Sequence, residues 1–184
     1  MTIMTRIAKA ACAALFGASL ALGALAHAAP EAHKKNWAPP TGKIYAQKLA
    51  DDIMAHHPEL ISVTFHGVPP GMHDAYTMFA GSFPDRIGNA DDPDDITISK
   101  LGITIVDPRW HRTNDTVRKF VMMLPLRDAA GANLGELVLS YKNPPHSEKT
   151  NSRYERRFFL ASVALRDSLE KKIPSYAALF APAR

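Results

Sequence analysis

Five stretches of the chain have the residue pattern of β-strands: polar and apolar residues alternate in the first, and the other four are mainly apolar or β-branched. The predicted strands lie near residues 60–68, 75–81, 103–107, 116–126 and 134–142. The segment RDAAGANLG between the last two is rich in Asp, Gly and Asn, which predicts an antiparallel hairpin. In the first strand Ser62, Thr64 and His66 share one face, and this polar face either meets solvent or lines a cavity.

A period of 3.6 residues predicts two long helices, one before the strands and one after them. The first helix begins near Thr41, carries Tyr45, Leu49 and Ile53 on one stripe, and stops at the next proline. The second helix covers Arg153–Lys172. Its predicted apolar side consists of Phe158, Leu160, Ala161, Val163, Ala164 and Leu165.

A short third helix is predicted between the second and third strands. Asp92 can cap its start, Pro93 fits the first helical position, and Asp94 and Asp95 face the positive end of the helix dipole. Gly102 offers the left-handed conformation that ends a helix. The strands at 116–126 and 134–142 are apolar on both faces, so helices or a pocket must cover the sheet on both sides. We therefore expect an α+β fold with a five-stranded antiparallel sheet and long helices at both ends.

The loop RIGNADDPDD, the short helix with its terminal glycine, and the hairpin VMMLPLRDAAGANLGELVLSYKN occur in an order that resembles the PAS-like Cache superfamily of extracytoplasmic sensor domains. The resemblance is clearest for Asp85–Asn143 and extends by element order over residues 41–173. It implies that the first strand lies mid-sheet beside the last, with both long helices on one face. It also implies a ligand on the opposite face, between the sheet and the segments that join the second and third strands.

This resemblance places a pocket under the loops at 67–74 and 82–95 and the short helix. Arg86 could pair with a ligand carboxylate and Asp92 with an amine, although Asp92 could equally be only a helix cap. The expected floor consists of His66, Tyr76, Met78, Arg118, Phe120 and Met122. A shift of one residue in strand register would exchange these side chains for their neighbours, and the simpler alternative is that they fill the core.

The first residues have the pattern of a secretory signal peptide. Arg6 and Lys9 precede an apolar run rich in alanine and leucine, and Ala26-His27-Ala28 supplies the small residues of a cleavage site. The alternative, an uncleaved anchor, fits less well because the run is short for a membrane span of about 20 residues. We expect residues 1–28 to be a signal peptide, 29–40 a flexible lead-in, and 41–184 a single periplasmic or secreted domain without a stable membrane span.

Cleavage is expected between Ala28 and Ala29. Mass spectrometry of the protein from the exported fraction should show a chain that begins at Ala29. An intact Met1 on membrane-bound protein would contradict this prediction.

The amino-acid composition and the lack of certain motifs argue against several classes of function. The one cysteine, Cys12, lies in the signal segment, so cysteine-based zinc, c-type haem and redox motifs are absent from the mature sequence. Two of the four net positive charges, Arg6 and Lys9, are also in that segment, and the remaining charge does not argue for nucleic acid. No nucleophile elbow, phosphate loop or dinucleotide motif is present, so we expect a protein that is not an enzyme. No sequence motif identifies a cofactor, so the sequence leaves the cofactor unknown.

The sequence thus predicts an exported domain that binds a small molecule and acts as a sensor. It shows no second apolar segment and no signalling module, so signalling is expected to run through a separate membrane protein. The alternative is a periplasmic haem- or metal-binding protein, since His66, His73 and His111 could converge. The methionines that could join them, Met72, Met78, Met122 and Met123, are better explained by apolar packing.

Overall fold

The computed structural model describes residues 34–110, 119–142 and 148–183, with the backbone alone at 109–110 and 148–152. The predicted signal peptide lies outside these residues. The described residues belong to one compact unit, Ala32–Arg184. Among them, no helix is both long enough and apolar enough to cross a membrane.

The chain forms a five-stranded antiparallel sheet and four α-helices within the described residues, which confirms the α+β class. In chain order the elements are α1 (Tyr45–His56), β1 (Leu60–Gly67), β2 (Thr77–Gly81), a 3-10 turn (Pro84–Arg86), α2 (Pro93–Leu101), β3 (Ile105–Trp110), β4 (Lys119–Arg127), β5 (Asn133–Lys142), α3 (Glu148–Glu170) and α4 (Tyr176–Leu179). The strand order is β2-β1-β5-β4-β3, so the first strand lies mid-sheet beside the last, as expected.

One face of the sheet carries the main hydrophobic core. Leu49 and Ile53 of α1 and Phe158 and Leu169 of α3 are buried in it, so both long helices lie on this face, as predicted. Phe158 stacks on Tyr141 of β5 with ring centroids 4.5 Å apart. On this face β1, β4 and β5 contribute Val63, Phe65, Phe120, Met122, Leu124, Leu126, Leu137, Leu139 and Tyr141.

The predicted apolar side of the second long helix is partly wrong. Leu160 is 55% exposed and Ala164 is also exposed, whereas the buried Ser162 lies one helical turn from Phe158. Residues four apart share a helix face, and a residue two positions away points to the opposite side. The buried side therefore follows Phe158, Ser162 and Leu169 and leaves Leu160 in solvent.

The short helix α2 covers part of the other face. Its Ile98 packs against Val121, Met123 and Val138 of the sheet. Gly102 ends the helix with a φ of 62°, as its sequence position predicted. Asp92 occupies the N-cap position, but its side chain makes no capping hydrogen bond, so its carboxylate is not used as a helix cap.

Part of the lead-in lies against the body of the domain. Backbone hydrogen bonds join Asn36 and Trp37 to the carbonyl oxygen of Gly88, at 2.9 and 3.3 Å. The Trp37 ring meets Phe180 edge-on, with centroids 6.1 Å apart. Residues 35–37 therefore form an outer strand-like segment beside the loop at 87–90, and Trp37 packs against the core.

Candidate functional site

The sheet face opposite α1 and α3 carries a cavity of about 190 Å³. It lies between the strands below and the loop and helix that follow β2. The strands contribute Ser62, Thr64, His66, Met78, Lys119, Val121, Met123, Val138 and Ser140. The loop and the first turn of α2 contribute Phe83, Arg86, Asn89, Ala90, Asp91, Asp92 and Asp95. The polar face of β1 therefore lines a cavity, which decides between the two sequence-based alternatives.

Strand register explains which side chains form this floor. Ser62 pairs with Ser140, Thr64 with Val138, and His66 with Glu136 across the β1–β5 ladder. Directly opposed residues of an antiparallel pair point to the same face. Because β5 also pairs with β4, the same rows continue to Val121 and Met123. The floor therefore has apolar residues in its centre and a polar row at the His66 end.

His66 is the centre of a hydrogen-bonded chain. Its Nδ1 lies 2.7 Å from Oδ1 of Asp91, and its Nε2 lies 2.7 Å from Oγ1 of Thr64. A second carboxylate oxygen, Oδ2 of Asp95, lies 3.9 Å from the same Nδ1. The His66 and Asp91 side chains are 10% and 1% exposed. Both ring nitrogens are thus engaged, and the orientation of the imidazole is defined.

The backbone around Asp91 holds its carboxylate over the sheet. The amide of Asp91 donates to the carbonyl of Tyr76, and the hydroxyl of Thr77 donates to the carbonyl of Asn89. On the outer side the amide of Ala90 donates to the carbonyl of Lys34. The segment at 88–91 is therefore pinned between β2 and the lead-in, which brings a loop carboxylate to an imidazole on β1.

Glu136 is a fully buried carboxylate next to His66. Within the described part of the chain, neither of its oxygens has a hydrogen-bond partner, and the same holds for Oδ2 of Asp91. Gly135 allows β5 to lie this close to β1, because a Cβ at position 135 would overlap the carbonyl oxygen of His66. One ligand-type atom each from His66, Asp95 and Glu136 lie within 4.8 Å of one another.

The pKa values of these groups reflect burial first. Burial, together with the smaller effect of the negative charges of Asp95, Asp91 and Asp94, raises the pKa of Glu136 to about 10. Burial also raises the pKa of Asp91 and of Asp95, against the lowering effect of His66. Burial by itself lowers the pKa of His66, but the hydrogen bond and charge of Asp91 bring it above its usual value. The cluster thus holds protons more tightly than separate groups in water.

Two cationic residues, Arg86 and Lys119, also line the cavity. Arg86 lies in the 3-10 turn with its guanidinium over the Phe83 ring, 5.3 Å from the centroid. Lys119 begins β4 on the cavity-facing side. It lies six residues before Pro125, which pairs with Glu136, and this separation is about 20 Å along a strand. The cavity is therefore acidic at the His66 end and basic at the Lys119 end.

Four of the eight predicted site residues line the cavity: His66, Met78, Arg86 and Asp92. Arg118 lies outside the described residues. Tyr76 is not part of the lining, and Lys100 approaches its ring at 5.2 Å. The loop at 67–74 contributes no lining residue either, so among the described residues the roof comes from 83–95.

The placement of Phe120 and Met122 in the floor is wrong. Both are buried in the main core beneath α1 and α3, and Val121 and Met123 line the cavity instead. The reason is the register of β4 against β5, which places Met122 in the row of Leu139 and Val63 on the core face. The one-residue exchange that the sequence left open is the arrangement in the structure.

Sequence reasoning missed Asp91, Asp95 and Glu136 as site residues. The sequence assigns Asp95 only to the positive end of the helix dipole and gives Asp91 no role, whereas in the structure carboxylate oxygens of Asp91 and Asp95 lie 2.7 and 3.9 Å from Nδ1 of His66. Glu136 had one available signal. It is the charged member of an otherwise apolar and small run on β5, and a charge at a buried strand position needs a partner.

The histidines proposed for haem or metal do not all meet here. His66 lines the cavity, His73 is exposed, and His111 lies outside the described residues. Met78 and Met123 line the floor, whereas Met122 is in the core. Among described residues, the hydrogen-bond and ion-pair partners of His66 are carboxylates and a threonine, and Met78 lies opposite it across the β1–β2 ladder.

No protein-family model and no curated protein matches the chain. Solved structures with a partial likeness include the E.coli DcuS sensor domain, at 16% identity and a TM-score of 0.38, over 52% of this chain and 65% of that one. Type II free methionine-R-sulfoxide reductase from Thermoplasma acidophilum matches at 12% identity and a TM-score of 0.40, over 66% and 89%. The Agobacterium tumefaciens repressor BlcR matches at 12% and 0.39, over 68% and 67%. The α+β class follows from the five-stranded sheet and the helices of this chain and not from these likenesses.

Proposed function

We propose that this chain is an exported sensor-type protein that binds a small molecule in the cavity between the sheet and α2. The observation that carries the proposal is the composition of the cavity wall. An apolar floor of Met78, Val121, Met123 and Val138 is combined with a few polar groups that converge on the same space. Small-ligand sites generally have this composition.

The size and charge of the cavity favour a small ligand with a carboxylate. Its volume of about 190 Å³ lies below the roughly 300–1,000 Å³ of sites for drug-sized molecules. Arg86 and Lys119 favour an anionic group in the cavity, and Asp92 favours an amine on the same ligand. The ligand class we propose is therefore a small carboxylate, with or without an amino group.

A thermal-shift screen of small carboxylates, amino acids and amines tests this proposal. Measured with a chelator present, a carboxylate ligand should raise the Tm of the wild-type protein. Arg86→Ala should weaken its binding by about 10–100-fold, because a charge-assisted hydrogen bond contributes roughly 1.5–3 kcal/mol.

The matched control is Arg157→Ala, which removes an exposed arginine of α3 on the opposite side of the sheet. The rise in Tm that the ligand causes in Arg157→Ala should equal the rise in the wild type. If every stabilising compound raises the Tm of the wild type and of Arg86→Ala by the same amount, the ligand does not occupy this cavity as proposed.

Export, periplasmic or secreted location, and a separate membrane signalling partner remain predictions from the sequence. The absence of catalytic activity is also still a prediction. Asp91, His66 and Thr64 form a carboxylate–imidazole–hydroxyl chain, but the proposed binding role uses His66 and Asp91 only as part of the cavity wall.

A further inference from the structure

We propose that His66, Asp95 and Glu136 bind a divalent transition-metal cation, with Zn²⁺ or Mn²⁺ as the fitting chemistry, at the acidic end of the cavity. This inference goes beyond the binding of a small carboxylate and does not depend on it. It rests on three side chains whose ligand-type atoms lie within 4.8 Å of one another. They come from β1, α2 and β5, so the fold and not one local turn brings them together.

The unpartnered oxygens of Glu136 are the second, independent observation. Glu136 is 0% exposed, and within the described residues both of its carboxylate oxygens lack a hydrogen-bond donor. Leaving a buried acceptor unsatisfied is costly, and a charged one more so. Protonation would remove the charge and still leave oxygen lone pairs without a donor. A cation between Glu136 and Asp95 would satisfy both carboxylates.

The position of Glu136 favours a bare ion over an ammonium group. His66 and Asp95 line the cavity, but Glu136 is not part of the cavity wall. A ligand amine would need room for its carbon chain next to Glu136, whereas a metal ion needs only the space among the donor atoms. The charges agree with this choice, because Asp91, Asp95 and Glu136 place three carboxyl groups around one imidazole.

The donor set indicates the class of metal. One imidazole nitrogen with carboxylate oxygens is a set that Zn²⁺ and Mn²⁺ accept, whereas Mg²⁺ and Ca²⁺ favour oxygen alone. The Nε2 of His66 already lies 2.7 Å from the hydroxyl of Thr64. When Nε2 carries the proton and donates to Thr64, a metal ion at Nδ1 would replace the hydrogen bond that Nδ1 makes with Oδ1 of Asp91 at 2.7 Å, so the ion and not a proton would lie between the imidazole and the carboxylates. Such outer hydrogen bonds commonly orient histidine ligands.

Calorimetric titration of the chelator-treated full chain with Zn²⁺ and with Mn²⁺ is the test. We expect one ion per chain and a rise in Tm of about 5–10 °C at a hundredfold excess over Kd. Protons should be released on binding, because the ligands must lose them, and titrations in buffers of different ionisation enthalpy measure that release. Absence of binding by both ions would overturn the proposal.

Glu136→Gln should weaken the binding by more than the roughly 10–100-fold that loss of an outer-shell partner costs. Asp94→Asn is the matched control, because Asp94 is exposed and belongs to a second group of carboxylates with Asp92 and Asp95. It should change the affinity far less than Glu136→Gln does, because it removes only a distant charge and no metal ligand. Equal binding by Glu136→Gln and the wild type, or loss of binding in Asp94→Asn alone, would place the ion elsewhere and overturn the assignment.

X-ray absorption of the zinc-loaded wild type gives a measurement that needs no variant. A shell of nitrogen and oxygen with a single imidazole supports the site, and two imidazoles or a sulfur contradict it. Arg86→Ala should bind the ion as the wild type does. A failure to bind metal would therefore not contradict the proposed carboxylate binding. A failure to bind carboxylates would likewise not contradict the metal site.

Discussion

Gly135→Ala is expected to destabilise the domain by roughly 4 kcal/mol or more. Gly135 lies on β5 with a φ of 142°, a conformation that L side chains rarely adopt. A Cβ at this position would overlap the carbonyl oxygen of His66 and contact Gly67 on the neighbouring strand. Since the obstacle is backbone, relief requires β1 and β5 to separate. Urea unfolding followed by circular dichroism measures the loss.

Gly131→Ala is the matched control. Gly131 also has a positive φ, 82°, but nothing lies within 4 Å of where its Cβ would be. Gly131→Ala should lower the stability of the fold by only about 1–2 kcal/mol, which is the cost of a positive φ for an L residue. Similar losses for the two variants would mean that β1 and β5 do not approach each other as closely as the structure shows.

The second large effect concerns pH. In the absence of divalent metal, the wild-type protein should lose stability as pH rises from about 5 to about 8, by on the order of 3 kcal/mol. The pKa of Glu136 is about 10 in the folded protein against an ordinary value of 4.5. A carboxyl group with a raised pKa holds its proton in the folded state and gives it up on unfolding. Its stabilising contribution is complete below pH 4.5 and is lost as pH rises towards 10.

The neighbouring groups act in the same direction. His66 has a raised pKa, so its contribution is complete below its usual value of 6.5 and is lost as pH rises through the folded value. The raised pKa values of Asp91 and Asp95 also make the folded state bind more protons. Guanidinium unfolding at a series of pH values, with chelator present, gives the slope directly.

Glu136→Gln separates the contribution of Glu136 from the rest. The amide is neutral at every pH, so this variant should be more stable than the wild type at about pH 8 and have a shallower pH slope. Asp85→Asn removes an exposed carboxylate and should keep the wild-type slope. A wild-type stability that is flat or rises over this range would show that Glu136 is not buried as the structure has it.

The sequence predicted the local elements well because the signals for them are local. Gly102 and the proline at the start of α2 bound the short helix within a few residues. The Asp128 side chain accepts backbone hydrogen bonds from Ala130 and Ala132, which explains why the Asp- and Gly-rich segment forms the hairpin turn. The alternation along β1 correctly separated Val63 and Phe65 from the polar residues.

The sequence by itself determined the α+β class, the element order and the two faces of each strand, because periods of 2 and 3.6 are properties of the local backbone. Tertiary structure alone decided which face of β4 lines the cavity, since that depends on its register with β5. It also decided that Asp91 and Glu136 meet His66. These contacts join residues far apart in the chain, and the backbone pairing that creates them leaves no periodic signal around any one of the three.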